Sequence, residues 1–278
     1  PRQDQARQQD VKFISASEPQ YTFSSPECRH STLYMEKRAV EGEPTVFSET
    51  FEFTANGEWH NLKPEDVQPY DTTTALYKEY TAEREKHIVF SPRLRELAAK
   101  LTAGETNPYL KAKRIFRWVN DNFPWASARE YSTIENIPEY VLDNRHGDCG
   151  QVSLLFITLC RISGIPAHFR SGFMMHPRAW NLHDWAEVYF EGVGWVPVDQ
   201  SFGIPAFARN ADEEYFFLGG IDSWRMIVNT DYGMPLQPEK QYPRSETVDF
   251  QRGEVEWEGG NLYFPQWDYH MDIDYLNY

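Results

Sequence analysis

The chain has 278 residues, of which 41% are hydrophobic and 15% aromatic, enough for the core of one large domain or two smaller ones. Its 42 acidic and 27 basic residues give a formal net charge of −15, which opposes electrostatic binding to nucleic acid or to an anionic membrane surface. A run of about 18 apolar residues, the minimum for a membrane-spanning helix, is absent, so no span is predicted.

Residues 1–72 are predicted to form a small β-rich domain. Phe51 and Phe53 alternate with polar neighbours, which is the period of a strand with one buried face. Asn56 and Gly57 form a pair that is typical of a tight hairpin turn. We interpret this domain as a structural or docking module without chemistry of its own.

Two amphipathic helices are predicted next, in a core that spans residues 73–210. Ser91 and Pro92 suit the start of the first helix, and Asn107 and Pro108 suit the start of the second. Each helix carries an apolar stripe at helical spacing, formed by Leu94, Leu97, Ala98 and Leu101 in the first and by Ala112, Ile115, Phe116 and Val119 in the second.

A third helix is predicted to open at Cys149, with Asp148 as its cap. The pattern after it changes to the two-residue period of strands. The predicted strands are Ala167 to Phe173, Asp184 to Phe190 and Trp195 to Val198. Helices followed by an antiparallel sheet predict the α+β class.

The segment 211–278 is rich in acids and aromatics but has weak periodicity. Its aromatic residues offer enough apolar area to pack, which argues against plain disorder. We expect a C-terminal extension that packs on the core.

The three cysteines do not suggest a disulfide framework. Cys149 and Cys160 would lie about 16 Å apart along one helix, too far for a disulfide. Cys28 is then left unpaired, and Cys160, among apolar neighbours, is expected to be inert core.

Cys149, His183 and Asp199 follow one another in an order that suits thiol-dependent acyl transfer. A thiol in the first turn of a helix lies at the positive end of the helix dipole, which favours the thiolate. His183 would take the thiol proton and Asp199 would hold the imidazole, while the backbone N–H of Cys149 would stabilise the oxyanion. Trp125 is our candidate for a second oxyanion donor.

Hairpin geometry tests the pairing of His183 with Asp199. A loop centred on Gly192 places residue 183 opposite 201, so that Asp199 is a diagonal neighbour on the same face, about 7–8 Å away between Cα atoms. A centre half a residue later would point Asp199 to the opposite face. The sequence allows both registers.

Five segments resemble successive signatures of the transglutaminase-like superfamily, a papain-like cysteine group that includes tissue transglutaminases, peptide N-glycanases and many bacterial proteases. They are Ala112 to Asn122, Gly147 to Gln151, Arg161 to Ala167, His183 to Val188 and Gly194 to Asp199. The resemblance implies a papain-like core, with Cys149, His183 and Asp199 as the catalytic triad.

Two positions depart from the family pattern. His168 stands where arginine is frequent, and we interpret it as structural. Asp184 stands where alanine often follows the histidine, and strand alternation predicts that it points away from the site. Residues 70–92 resemble the connector that follows an N-terminal β-domain in secreted bacterial members, which favours an extracytoplasmic location.

The leading hypothesis is a cysteine peptidase or amidase that acts on peptide or protein substrates. A protein cross-linking transglutaminase is an alternative, although it needs an amine channel that excludes water. A second alternative is an idle scaffold that binds a protein or polysaccharide. No EF-hand or zinc spacing occurs, so we expect no metal and no cofactor; the oligomeric state is open.

Overall fold

The computed structural model describes residues 4–127 and 129–276. These residues form six α-helices and twelve β-strands. The helices are α1 (Ala75–Tyr80), α2 (Pro92–Leu101), α3 (Pro108–Asn122), α4 (Ile137–Asn144), α5 (Cys149–Ile162) and α6 (Ala211–Glu214). The strands are β1 (Gln8–Ala16), β2 (Tyr21–Phe23), β3 (Leu33–Met35), β4 (Glu49–Ala55), β5 (Glu58–Trp59), β6 (Ala167–His176), β7 (Ala179–Phe190), β8 (Gly194–Val198), β9 (Gly220–Ile221), β10 (Arg225–Thr230), β11 (Val255–Trp257) and β12 (Gly260–Leu262).

Contacts group the described residues into two compact units. The first unit takes in 4–56, 172–182 and 224–276, and the second takes in 57–171 and 183–223. The three domains predicted from the sequence have other boundaries and stay a prediction. The segment after residue 211 is shared, since its first part belongs to the second unit and its larger part to the first.

Helix α5 is the centre of the second unit. Every residue from Gly150 to Arg161 is buried, and the helix contacts α2, α3 and α4. A helix that is apolar all round must be enclosed on all sides, which is the arrangement found here. At its far end the Arg161 guanidinium donates to the carbonyl oxygens of Ala167 and Ala82, at 2.8 and 3.0 Å, so this buried charge is hydrogen-bonded.

The starts of α2 and α3 confirm the predicted caps. The Ser91 hydroxyl accepts from the Leu94 N–H at 3.2 Å, and the Asn107 side chain accepts from the Leu110 N–H at 3.1 Å. Each cap satisfies a backbone donor that has no partner within its own helix. The stripe predicted for α3 is buried throughout, and in α2 Leu94 and Ala98 are buried.

The main sheet has the strand order β10-β6-β7-β8. Within the second unit β7 and β8 are antiparallel, with Ala186 opposite Val198 and Phe190 opposite Gly194. This register has its centre at Gly192, which has a φ of +87° and so adopts a conformation that favours glycine. The register that directs Asp199 to the face of His183 is therefore the one observed.

The predicted hairpin at Asn56 and Gly57 is wrong. In the first unit β4 pairs with β1, whereas in the second unit β5 pairs with β9. The pair therefore links two strands that have different partners. A turn signal reports only local backbone preference, and the choice of partner depends on residues distant in sequence.

The first unit has an apolar cluster of its own. Phe173, Met175 and Met226 are buried, and Phe51 and Phe53 pack against them. Tyr269, Met271 and Ile273, from the last part of the chain, pack against the same cluster. Strand β10 lies beside β6 in the main sheet. The C-terminal segment thus contributes a strand and core side chains to this unit.

Among the described residues, no helix has both the length and the apolar character needed to cross a membrane. The described cysteines Cys28, Cys149 and Cys160 are all free thiols, in agreement with the prediction.

His87 gives the second unit a pH-dependent stability. It is 1% exposed, and its Nδ1 accepts from the Ile137 N–H at 3.3 Å, at the start of α4. Burial, aided by the charge of Lys86, lowers the pKa of His87 from 6.5 to about 4. The unfolded chain therefore binds more protons than the folded one between these values, so stability falls as pH decreases through this window.

We expect the free energy of unfolding to decrease by on the order of 3 kcal/mol between pH 7 and 4 through this histidine. His87→Gln keeps an acceptor for Ile137 and should flatten that decrease, as measured by urea unfolding across the pH range. His60→Gln, at an exposed position of the same unit, is the control. An unchanged pH slope in His87→Gln would show that other groups cause it.

Candidate active site

Cys149 is the first residue of α5, and the cap before it fixes its position. The Asp148 carboxylate accepts from the Gln151 N–H at 3.0 Å, while Gln151 Oε1 accepts from the Asp148 N–H at 3.3 Å. This reciprocal capping box ties the first turn to the chain that enters it. Cys149 itself is half-buried, whereas Cys160 in the same helix is buried.

His183 and Asp199 form a tight buried pair. His183 Nε2 lies 2.7 Å from Asp199 Oδ2, and both side chains are almost fully buried. The other carboxylate oxygen accepts from the backbone N–H groups of Ser201 and Phe202, at 3.2 and 3.0 Å. The turn after β8 therefore holds the carboxylate, and the carboxylate holds the ring through Nε2.

His183 and Asp199 interact electrostatically with the first turn of α5. Burial raises the pKa of Asp148, against the opposing effects of the Tyr131 hydroxyl, the Gln151 N–H and the charge of His183. The carboxylate of Asp199 is among the groups that act on Cys149. The three residues predicted from the sequence thus act on one region at the start of α5.

Asp184 does not point away from the site, and that prediction is wrong. Its Oδ2 lies 3.6 Å from Cys149 Sγ, within the range of a hydrogen bond from a thiol. Asp184 is 1% exposed. Strand alternation describes only the two faces of β7 and does not say which element covers each face, and here the first turn of α5 lies against Asp184.

Tyr131 joins the two carboxylates beside the thiol. Its hydroxyl lies 2.7 Å from both oxygens of Asp148 and 3.4 Å from Asp184 Oδ2. Gly150 makes room for this arrangement, since a Cβ there would lie 2.6 Å from Asp184 Oδ2 and would also collide with the Tyr131 hydroxyl. Only glycine fits this position without displacing the carboxylate or the phenol.

The surroundings of Cys149 oppose the thiolate. Burial, followed by the negative charges of Asp184 and Asp148, raises the pKa of the Cys149 thiol well above its ordinary value. A backbone hydrogen bond from Asp184 lowers the pKa of the thiol, but it does not offset these effects. The direction of this pKa shift favours the neutral thiol, whereas the helix position alone favours the thiolate.

Trp125 and His168, two further residues considered in the sequence analysis, differ in their exposure to solvent. The Trp125 side chain is 60% exposed, while its backbone bridges to Gly147 in the approach to Cys149. Its role as an oxyanion donor stays a prediction. His168 is buried, with Nε2 3.1 Å from Glu187 Oε2 and its ring 4.3 Å from that of Trp195, which supports the structural interpretation.

Sequence reasoning missed Tyr131 and the role of Gln151 in the cap. The glutamine had a detectable signal, because it lies three residues after Asp148 as a capping box requires. Tyr131 had none, since it lies in a short 3-10 turn outside any periodic segment.

In the described part of the chain, no group of three or more His, Cys, Asp or Glu side chains could hold a metal ion.

Comparison with known proteins identifies the core. The family model for the transglutaminase-like superfamily matches residues 95–200, the part of the chain that contains Cys149, His183 and Asp199. A solved structure from Cytophaga hutchinsonii, described as a candidate cysteine protease, is similar over 83% of this chain and 73% of that one. The TM-score is 0.56 at 18% identity, a similarity of fold.

Two curated relatives are uncharacterized proteins. YebA of Bacillus subtilis is 27% identical over 140 residues, which cover 43% of this chain and 19% of YebA. A protein of Haemophilus influenzae is 27% identical over 165 residues, which cover 50% of this chain and 42% of that protein. The chain thus spans less than half the length of either relative. Residues 95–200, with their α+β fold, therefore form a transglutaminase-like core, a match that covers less than half of the chain.

Proposed function

We propose that this chain is a thiol-dependent hydrolase or acyltransferase that acts on amide carbonyls through an acyl-enzyme on Cys149. A cysteine peptidase or amidase is the form that we favour. The observation that carries the proposal is the buried 2.7 Å contact between His183 and Asp199, together with a half-buried cysteine at the first position of α5. A base held by a carboxylate and a nucleophile at a helix N-terminus are the parts that acyl transfer requires.

The reaction begins when His183 Nδ1 takes the thiol proton as Cys149 Sγ attacks the carbonyl carbon. The negative charge that develops on the carbonyl oxygen meets the backbone N–H of Cys149, with Trp125 as the proposed second donor. The C–N bond then breaks, and the amine leaves with the proton from His183. Water, activated by the same imidazole, releases the acid and restores the thiol.

A neutral resting thiol affects how the first step proceeds. Because burial and the neighbouring carboxylates raise the pKa of Cys149, proton removal must accompany attack rather than precede it. His183 then acts as a general base, and Asp199 stabilises the imidazolium that forms. Such a site keeps its thiol unreactive until a carbonyl is in place.

The alternative functions differ in the fate of the acyl-enzyme or in whether it forms. A cross-linking transglutaminase would pass the acyl group to an amine, and a scaffold would form no acyl-enzyme.

We place the proposed enzyme outside the cytoplasm, because residues 70–92 resemble the connector of secreted members. The net charge of −15 favours a peptide or protein substrate over nucleic acid.

Substitution of the three residues tests the enzyme. Against a library of peptides analysed by mass spectrometry, we expect cleavage by the wild type to vanish in Cys149→Ser. In His183→Ala and Asp199→Asn it should decrease on the order of 10²-fold or more, because the base or its support is lost. An added primary amine should appear in the products only if transamidation competes with hydrolysis.

Cys28→Ser provides the matched control, since it makes the same change at another half-buried cysteine. Cleavage that persists in Cys149→Ser would refute the proposed nucleophile. An absence of cleavage, with Cys149 labelled at a rate that does not depend on His183, would favour the scaffold.

The pH dependence of thiol labelling tests the resting state. The rate of Cys149 alkylation by iodoacetamide should increase with pH, with a midpoint above that of glutathione measured in parallel, because only the thiolate reacts. Mass spectrometry of the peptide that contains Cys149 gives the rate for this residue alone. Fast labelling that stays constant below pH 7 would instead indicate a preformed thiolate–imidazolium pair.

A further inference from the structure

Asp184 places a carboxylate against the proposed nucleophile. Its Oδ2 lies 3.6 Å from Cys149 Sγ, and the side chain is 1% exposed, so little water lies between the charge and the sulfur. Charges that are shielded from solvent interact more strongly than surface charges at the same distance.

The contact is built into the surrounding chain. Gly150 leaves the space that Asp184 Oδ2 occupies, and Tyr131 places its hydroxyl 3.4 Å from the same oxygen. Strand β7 supplies Asp184, the residue directly after His183, to the start of α5. The carboxylate therefore has a defined position relative to the sulfur.

Other charged groups near the thiol add to the same effect. Asp148 and Asp199 also act on Cys149, and the imidazole of His183 is the basic group of the constellation. A protonated His183 would offset one of these negative charges. The carboxylates of Asp184, Asp148 and Asp199 thus all oppose a negative charge on the sulfur.

Attack requires the carbonyl carbon to approach within about 3.5 Å of Sγ. Asp184 Oδ2 then lies no more than about 7 Å from that carbon, since the two distances share the sulfur. A charged group one or two bonds from the carbonyl is thus well within electrostatic range of the carboxylate.

We propose that Asp184 determines the charge specificity of the site, so that it favours acyl substrates with a positive charge close to the scissile carbonyl and disfavours those with a negative charge there. The substrate class is a peptide-like amide with an ammonium or guanidinium group on the acyl side. This inference rests on the proposed function, because it takes Cys149 as the nucleophile.

Charged thiol reagents test the proposal without any substrate. Methanethiosulfonates that carry a trimethylammonioethyl or a sulfonatoethyl group have similar size and opposite charge. In each case the Cys149 thiolate attacks the sulfenyl sulfur, a disulfide forms, and methanesulfinate leaves with the electron pair of the broken S–S bond. The rate constant for the cationic reagent is divided by that for the anionic reagent, and the result is divided by the same ratio measured with 2-mercaptoethanol. The fraction of Cys149 that is present as thiolate affects both rates equally, so it cancels from this normalised ratio.

We expect this normalised ratio to be on the order of tenfold above one in the wild type, and to decrease severalfold in Asp184→Asn. Rates are measured in a Cys28→Ser background, with Cys149 identified by mass spectrometry. Asp212→Asn, an exposed carboxylate of the same unit, makes the same change in net charge and should leave the ratio unchanged.

A wild-type ratio near one, or an equal ratio in Asp184→Asn, would overturn the proposal. If Asp184→Asn does not fold, Asp184→Ser takes its place. The proposed function can fail separately, because it depends on peptide cleavage by Cys149 and His183, which these reagents do not measure.

Discussion

The complete burial of α5 is the constraint on which the candidate site depends. A helix enclosed from Gly150 to Arg161 cannot slide or rotate without disturbing α2, α3 and α4. Its first residue therefore has a fixed place, and the capping box formed by Asp148 and Gln151 fixes the direction from which the chain arrives. The position of the Cys149 sulfur results from helix packing rather than from a flexible loop.

The second support of the site is the β7–β8 hairpin. Its register places His183 and Asp199 on the same face, and the turn after β8 donates two backbone hydrogen bonds to the carboxylate. Rigid elements of two kinds thus meet at the site. A helix N-terminus provides the proposed nucleophile, and an antiparallel pair provides the base and its support.

The electrostatics of the site result from opposing contributions. A helix N-terminus favours a thiolate, whereas burial and the carboxylates of Asp184 and Asp148 raise the pKa of the Cys149 thiol. Asp148 contributes to both sides, because it caps the helix that positions Cys149 and also adds a negative charge beside it. Geometry and protonation state are therefore coupled in this constellation, and the same residue affects both.

The sequence alone determined the features that depend on local patterns. The caps at Ser91, Asn107 and Asp148 were predictable because they need only a polar side chain before an apolar helical stripe. The helix stripes and the strand period indicated the α+β class, and the register centred on Gly192 was one of two that the sequence allowed. The short helix α4, with its weaker pattern, was not predicted.

Tertiary structure alone decided which elements meet. It paired β5 with β9 rather than with β4, and it placed the start of α5 against Asp184, so that a carboxylate expected to point away lies beside the thiol. It also brought Tyr131 between Asp148 and Asp184. These contacts join residues far apart in the chain, and local periodicity carries no information about them because it describes only the faces of one element and not what covers them.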